Sequence, residues 1–225
     1  MDVSTDHAAL EARDLYRFFH AGEDETFALR GVSIDIAAGE MVAVVWPSGS
    51  GKSTLLHCLG GLDEPDGGSV RVAGERLTRR SEPERARIRA KGIGILVQSA
   101  NLLDHLSVAE NVALARRLAG RSGGHSDDLL GSVGLEGRED ARPSTLSGGE
   151  AARAGLAVAM ANDPVVVLAD EPTGELDRAH EEMVLELLTS RARTGGAVCV
   201  VTHSEHVAAA ADRVVRIEDG RVVDG

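Results

Sequence analysis

Four short apolar runs rich in valine and isoleucine stand out along the chain: residues 41–46 (MVAVVW), 92–97 (GIGILV), 165–170 (VVVLAD) and 197–202 (AVCVVT). Turn residues bound each of them, and none alternates cleanly between apolar and polar positions. That is the pattern of buried strands rather than of half-solvated ones. It predicts a mostly parallel sheet covered on both faces. Helical stretches separate the runs, at residues 52–59, 150–161 and 179–193. Alternating strands and helices imply an α/β fold whose chemistry sits at the carboxyl ends of the strands.

The first 75 residues read differently. Strand-like pieces at residues 10–19, 28–36 and 69–72 are joined by Gly, Asp and Glu turns, which predicts an antiparallel sheet beside the parallel one. From about Gln98 to Leu146 strand signals vanish. There "SVAENVALARRLAG" and "SDDLLGSVG" carry helical periodicity, with "RSGGHSD" as a turn between them, so this stretch reads as a small helical lobe.

Composition narrows the function classes. With 225 residues, 43% hydrophobic and 27% charged, the chain suits one sizeable soluble unit. A net charge of −12 argues against a general nucleic-acid binder, since a phosphate backbone would be repelled. Cys58 and Cys199 fit no metal or redox spacing and read as small buried residues in a reduced compartment. The first 13 residues lack an apolar signal region, and no run approaches the roughly 18 residues a membrane span needs. The expectation is a soluble intracellular protein that reaches a membrane only through a partner.

Candidate chemistry begins in "VVWPSGSGKST", residues 44–54. A phosphate-binding loop follows Gly-x-x-x-x-Gly-Lys-Ser/Thr, with glycines that let backbone N–H groups close around phosphates at a helix N-terminus. Here Pro47, Ser48, Gly49, Ser50 and Gly51 would form that cradle. Lys52 would reach the β- and γ-phosphates, and the Ser53 hydroxyl would ligate Mg²⁺. Lys52 is one of only two lysines, with Lys91. The first glycine position, however, holds Trp46, the single tryptophan.

"VVVLADEP" is a strand ending in two carboxylates. Asp170 at its tip is placed to hold the Mg²⁺ shell, and Glu171 could orient or deprotonate an attacking water. "LSGGE", residues 146–150, puts Ser147, Gly148 and Gly149 at a helix start, either as an ordinary cap or as a second anion site. Gln98 and His203 each end an apolar strand. The first could ligate Mg²⁺ or water and the second touch a γ-phosphate, although a lone residue in such a place is more often structural.

In this order, these features resemble the nucleotide-binding subunit of an ABC transporter, over about Leu10 to Val223. The resemblance implies a P-loop NTPase fold with a mostly parallel core sheet, an antiparallel β subdomain and an inserted helical subdomain. It implies a single domain over 1–225, with core segments 1–97 and 160–225 and the helical subdomain at about 98–159. By resemblance Lys52, Ser53 and Thr54 contact phosphate and Mg²⁺, and Gln98 is the Q-loop residue, a metal and catalytic contact. Asp170 holds the metal, Glu171 is the catalytic glutamate, Leu176 and Asp177 fit the D-loop, and His203 is the switch histidine. Phe19 sits where these proteins stack an aromatic ring on adenine. Ser147, Gly148 and Gly149 would close on the γ-phosphate held by the opposite subunit, sandwiching two ATP molecules in a head-to-tail dimer.

The implied cofactors are ATP and Mg²⁺. The implied partners are an integral-membrane permease, docking near residues 98–110, and a second ATP-binding subunit in a homodimer, with no nucleic acid. The implied place is the cytoplasmic face of the cell membrane. "GGLDEPDGG", "SGGE" and "LADEPTGELD" are similar to the lipoprotein-release, macrolide-export and cell-division group. Trp46 and the run Ala151, Ala152, Arg153 after "LSGGE" depart from the family's pattern. They raise the alternative of a nucleotide-binding regulatory subunit with impaired turnover. A soluble ABC protein of DNA repair or translation is disfavoured, because one nucleotide domain stands without a coiled-coil insertion or a tandem copy.

Overall fold

The computed structural model describes residues 8–21, 24–46, 51–97, 101–121, 126–174 and 176–225. Strands β1 (Leu10–Ala21), β2 (Asp24–Ile36), β4 (Gly67–Val72) and β5 (Glu75–Arg76) form an antiparallel sheet in the order β2-β1-β4-β5. A second sheet holds β3 (Met41–Val45), β6 (Ile93–Leu96), β7 (Val166–Asp170), β8 (Ala197–Thr202), β9 (Arg213–Glu218) and β10 (Arg221–Asp224). Its order is β10-β9-β3-β8-β7-β6, parallel except for the β9–β10 hairpin. The fold is therefore the expected α/β architecture with an antiparallel sheet beside the parallel one.

Every residue of β8 is buried, as are the first four of β3 and of β7. Burying each Val or Leu side chain contributes about 1.5–3 kcal/mol relative to exposure. With both faces covered, a one-residue slip would not turn an apolar face to water, so side-chain alternation cannot set the register. Contacts at the amino ends set it instead. The Met41 N–H donates to Asp212 Oδ2 at 2.8 Å, and the Asp212 N–H donates back to the Met41 carbonyl at 2.9 Å. Arg213 Nε donates to Glu40 Oε1 at 2.8 Å.

Helix α1 (Lys52–Leu59) follows β3 and buries Leu55, Leu56, Cys58 and Leu59. Helix α2 (Glu82–Gly92) precedes β6, α6 (Arg178–Arg193) joins β7 to β8, and α7 (Glu205–Ala210) joins β8 to β9. Helices α3 (Val108–Leu118) and α4 (Ser126–Ser132) lie in the chain segment between β6 and α5 (Gly148–Met160). Helix α5 belongs to two cores at once. Leu156 and Ala159 pack with Val167, Val184 and Val200 of the sheet and α6, whereas Ala154, Ala157 and Ala161 pack with Val108, Val112 and Leu130. It is the beam that ties the α3–α4 region to the sheet.

The expected strand at 92–97 begins one residue later, because Gly92 closes α2. Helix α5 begins two residues before the expected 150, since the Ser147 side chain caps it. Both cysteines are buried free thiols, and burial pushes each up to about 12. Among the described residues no helix is long and apolar enough to cross a membrane.

Candidate nucleotide site

Register places the site. Val45, the last residue of β3, pairs with Thr202 of β8, and Asp170 of β7 pairs with Val201. Three adjacent strands thus deliver Trp46, Glu171 and His203 to the same carboxyl edge of the sheet, which is where α/β folds place ligands.

Pro47, Ser48, Gly49 and Ser50 lie outside the described residues. Gly51 is the N-cap of α1 and offers no side chain to it, so the first-turn N–H groups of Lys52, Ser53 and Thr54 keep the open, anion-attracting character of a helix start. Gly51 has φ −125°, a conformation any residue adopts, so backbone geometry does not demand glycine. Trp46 does. A Cβ built on Gly51 would lie 2.0 Å from Cζ2 of its indole. The ring itself is 5% exposed and belongs to the main core, with Val42, Val44, Leu55 and Leu56.

Glu171 is the hub of the polar network. Its Oε1 accepts from Lys52 Nζ at 3.0 Å and lies 2.7 Å from His203 Nδ1. Its Oε2 accepts from the Thr202 hydroxyl at 3.2 Å and from the His203 N–H at 3.3 Å. Burial alone would raise its pKa, but the hydrogen bonds of His203 and Lys52, with the lysine's charge, outweigh it and hold the carboxylate below its ordinary value. Its backbone stands at φ +46°, in the left-handed region that a non-glycine residue occupies at a cost. The Glu171 N–H donates to the Val201 carbonyl at 2.9 Å, which holds that turn against β8. Thr202 is a site residue that sequence reasoning passed over. Its only signal is a hydroxyl at the end of an otherwise apolar strand.

The Ser53 hydroxyl donates to Asp170 Oδ2 at 3.1 Å. Two hard oxygen donors, from a helix start and a strand tip, fit Mg²⁺, which takes one or two protein oxygens and completes its octahedron with water and phosphate. Among the described residues no group of three His, Cys, Asp or Glu could hold a metal ion. Gln98 lies outside the described residues.

At the start of α5, Ser147 and Glu150 form a capping box. The Ser147 hydroxyl accepts from the Glu150 N–H at 3.2 Å and itself hydrogen-bonds the Glu150 carboxylate, so cap and carboxylate hold each other. Arg138 grips Glu150 with two bonds, Nε–Oε1 at 2.7 Å and Nη2–Oε2 at 2.9 Å. That bond and the Ser147 N–H lower the Glu150 carboxyl to about 2. Gly148 is exposed, whereas Gly149 is buried against His180 of α6. Phe19 on β1 is 43% exposed, with the Arg17 guanidinium 4.9 Å from its ring centroid, so one aromatic face is presented at the surface.

Comparison with solved structures defines the class. The chain aligns over 96% of its length, with a TM-score of 0.89 and 33% identity, with a structure described as a dimeric bacterial ABC transporter cassette, MJ0796, of which it covers 97%. A post-hydrolysis dimer of the same cassette bound to ADP and Pi aligns at TM-score 0.88 and 32% identity, over 96% of this chain and 97% of that one. The fold is that of an α/β P-loop NTPase of the ABC cassette type. A family model for ABC transporters matches residues 29–174, and the chain belongs to that family. It is 43% identical over 217 residues to an uncharacterized ABC transporter ATP-binding protein of Thermotoga maritima, covering 95% of this chain and 93% of that protein. It is 41% identical over 218 residues to the macrolide export ATP-binding/permease protein MacB of Escherichia coli K12, covering 95% of this chain. There it spans only 34% of the relative's length.

Proposed function

We propose that this chain binds ATP with Mg²⁺ and hydrolyses it as the ATP-binding subunit of a membrane transporter, closing head-to-tail on a second copy of itself. The observation that carries the reading is the single network joining Lys52, Glu171, Thr202 and His203, with Ser53 and Asp170 beside it. In this reading residues 47–54 cradle the triphosphate, Phe19 stacks on adenine, and Ser53, Asp170 and Gln98 hold Mg²⁺. Mg²⁺, when bound, neutralises charge on the phosphate oxygens.

Lys52 has two claimants. Without nucleotide it is the counter-ion of Glu171; a triphosphate offers more negative charge and draws it away. Glu171 is then free to orient the attacking water and take its proton, while His203 stays on the carboxylate and can reach the γ-phosphate. Attack forms a new O–P bond as the bond to the β–γ bridging oxygen breaks, releasing ADP and phosphate. Ser147, Gly148 and Gly149 of the opposite copy donate to the γ-phosphate, and a helix N-terminus favours that added charge. Loss of the γ-phosphate weakens the bridge and opens the dimer.

The permease belongs on the surface beside Asn101. A groove of about 520 Å³ there is lined by Leu62, Ile93, Ile95, Leu118 and Val158, and Leu118 is 71% exposed. It lies where α2, β6, α3 and α5 meet, so a segment seated in it would feel any movement of α5. In this reading the chain works at the cytoplasmic face of the membrane, carried there by the permease, and takes no nucleic acid.

A second reading rests on Trp46, whose ring lies hard against Gly51. It is a regulatory subunit that binds nucleotide but turns over poorly. Core burial of the indole favours the first reading, because the ring is seated among Val42, Val44 and Leu55. Phosphate release and Trp46 fluorescence, followed together on adding Mg-ATP with Glu171→Gln as control, separate the two. Turnover lost in the control supports hydrolysis, a fluorescence change without turnover supports the regulatory reading, and silence in both overturns nucleotide binding.

A further inference from the structure

His180 is packed against the LSGGE turn at the start of α5, the signature turn hereafter. A Cβ built on Gly149 would lie 2.2 Å from His180 Cδ2 and 2.7 Å from its Cγ, so the imidazole fills the space a side chain at 149 would need. The ring is also tethered from behind. Asp177 Oδ1, the N-cap of α6, lies 2.8 Å from His180 Nδ1 and also accepts the His180 backbone N–H at 3.0 Å. One carboxylate oxygen therefore fixes both the helix start and the rotamer of the ring.

We infer that His180 is a positioning residue for the signature glycine, setting where the N–H groups of Gly148 and Gly149 point when they meet the phosphate of the opposite subunit. This rests on the head-to-tail dimer of the preceding section. The geometry is selective in what it supports. Gly149 lies in the first turn of α5, and among the described residues Lys52 and His203 bond Glu171 and Ser53 bonds Asp170, whereas the ring of His180 bonds Asp177. Gly148, next in the turn, has nothing within 4 Å of a built Cβ, so support reaches the turn through Gly149. In the head-to-tail arrangement the turn that His180 supports faces the phosphate held by the other copy. The tether to Asp177 makes the start of α6 and the start of α5 a single unit, so a shift of the segment after Glu171 is carried to the signature turn by one ring.

The test uses the full chain in the Glu171→Gln background, with ATP-dependent dimerisation followed by size exclusion. Affinity of each monomeric variant for Mg-ADP and its thermal midpoint report on the chain's own site and its stability. His180→Ala is expected to raise the ATP concentration for half-dimerisation at least fivefold, with Mg-ADP affinity unchanged. His180→Phe, which keeps a flat ring against Gly149, is expected to restore dimerisation to within about twofold. His180→Asn, which keeps a nitrogen near Asp177 but no ring, is expected to behave like alanine. Dimerisation of the alanine variant at the parental ATP concentration overturns the inference, and so does rescue by asparagine but not by phenylalanine. If the Glu171→Gln parent itself fails to dimerise with ATP, the sandwich reading falls first and the inference with it.

Discussion

Lys52 Nζ and Glu171 Oε1 stand 3.0 Å apart, so the lysine proposed for phosphate and the carboxylate proposed for water neutralise one another across the candidate site. The glutamate side chain is 9% exposed and the lysine 22%, which shields the pair from full solvent screening.

If Lys52 holds phosphate as proposed, nucleotide has to break this pair to recruit it, so removing the glutamate's charge should help binding. Glu171→Gln is expected to tighten Mg-ADP binding to the monomer by about threefold to tenfold, roughly 0.7–1.4 kcal/mol. Isothermal titration measures it. Weaker or unchanged binding would mean that Lys52 is not held back by Glu171.

Trp46 and Gly51 should be energetically coupled. Gly51→Ala forces a methyl into the indole and is expected to cost about 1–3 kcal/mol in the parent chain. In a Trp46→Gly background, itself destabilised by about 3–5 kcal/mol, the same alanine should cost at least about 1 kcal/mol less. Urea unfolding of the four chains of this cycle gives the coupling directly. Additive costs would show that the ring does not rest on Gly51.

The Arg138–Glu150 pair sets an acid limit on the start of α5. The Glu150 carboxyl is lowered to about 2 from an ordinary 4.5, so its contribution is complete above about 4.5 and is lost as pH falls from there to about 2. A carbon-detected NMR titration of the Glu150 carboxyl should show a midpoint near 2, moving up towards 4.5 in Arg138→Ala. A parental midpoint near 4.5 would remove the pair from consideration.

Arg153, 8% exposed on α5, has Nε and Nη1 buried without hydrogen-bond partners among the described residues. An unmet buried donor costs about 1–3 kcal/mol, and an apolar side chain of similar length avoids that cost. Arg153→Met is therefore expected to stabilise the isolated chain, raising Tm by about 2–4 °C per kcal/mol. A lower Tm in calorimetry would contradict this.

Much of the fold was legible because its core strands are continuous valine-rich runs. Residues 197–202 form β8 without adjustment, and residues 52–59 form α1. Elements with few apolar positions were not legible. Helix α2 buries only Ile88 and Gly92 and is started by the Ser81–Glu84 capping box. Strand β9 buries Val215 and Ile217 and is held by pairing with β3.

The candidate site divides in the same way. Lys52, Ser53, Asp170, Glu171 and His203 were recognisable because phosphate and metal chemistry demands those residue types directly after strands, a local requirement written in local sequence. Thr202 and His180 were not, because what matters about them is which residue lies opposite. Glu171 is 31 residues from Thr202, and Gly149 is separated from His180 by a loop and a strand. The sequence by itself therefore determined the strand–helix alternation and the chemical groups at the strand ends. Tertiary structure alone decided that Lys52 rests on Glu171, that the Trp46 ring enters the core beneath Gly51, and that His180 backs Gly149. Those pairings follow from sheet order and helix packing, which sum weak preferences over the whole chain and leave no signature at any one position.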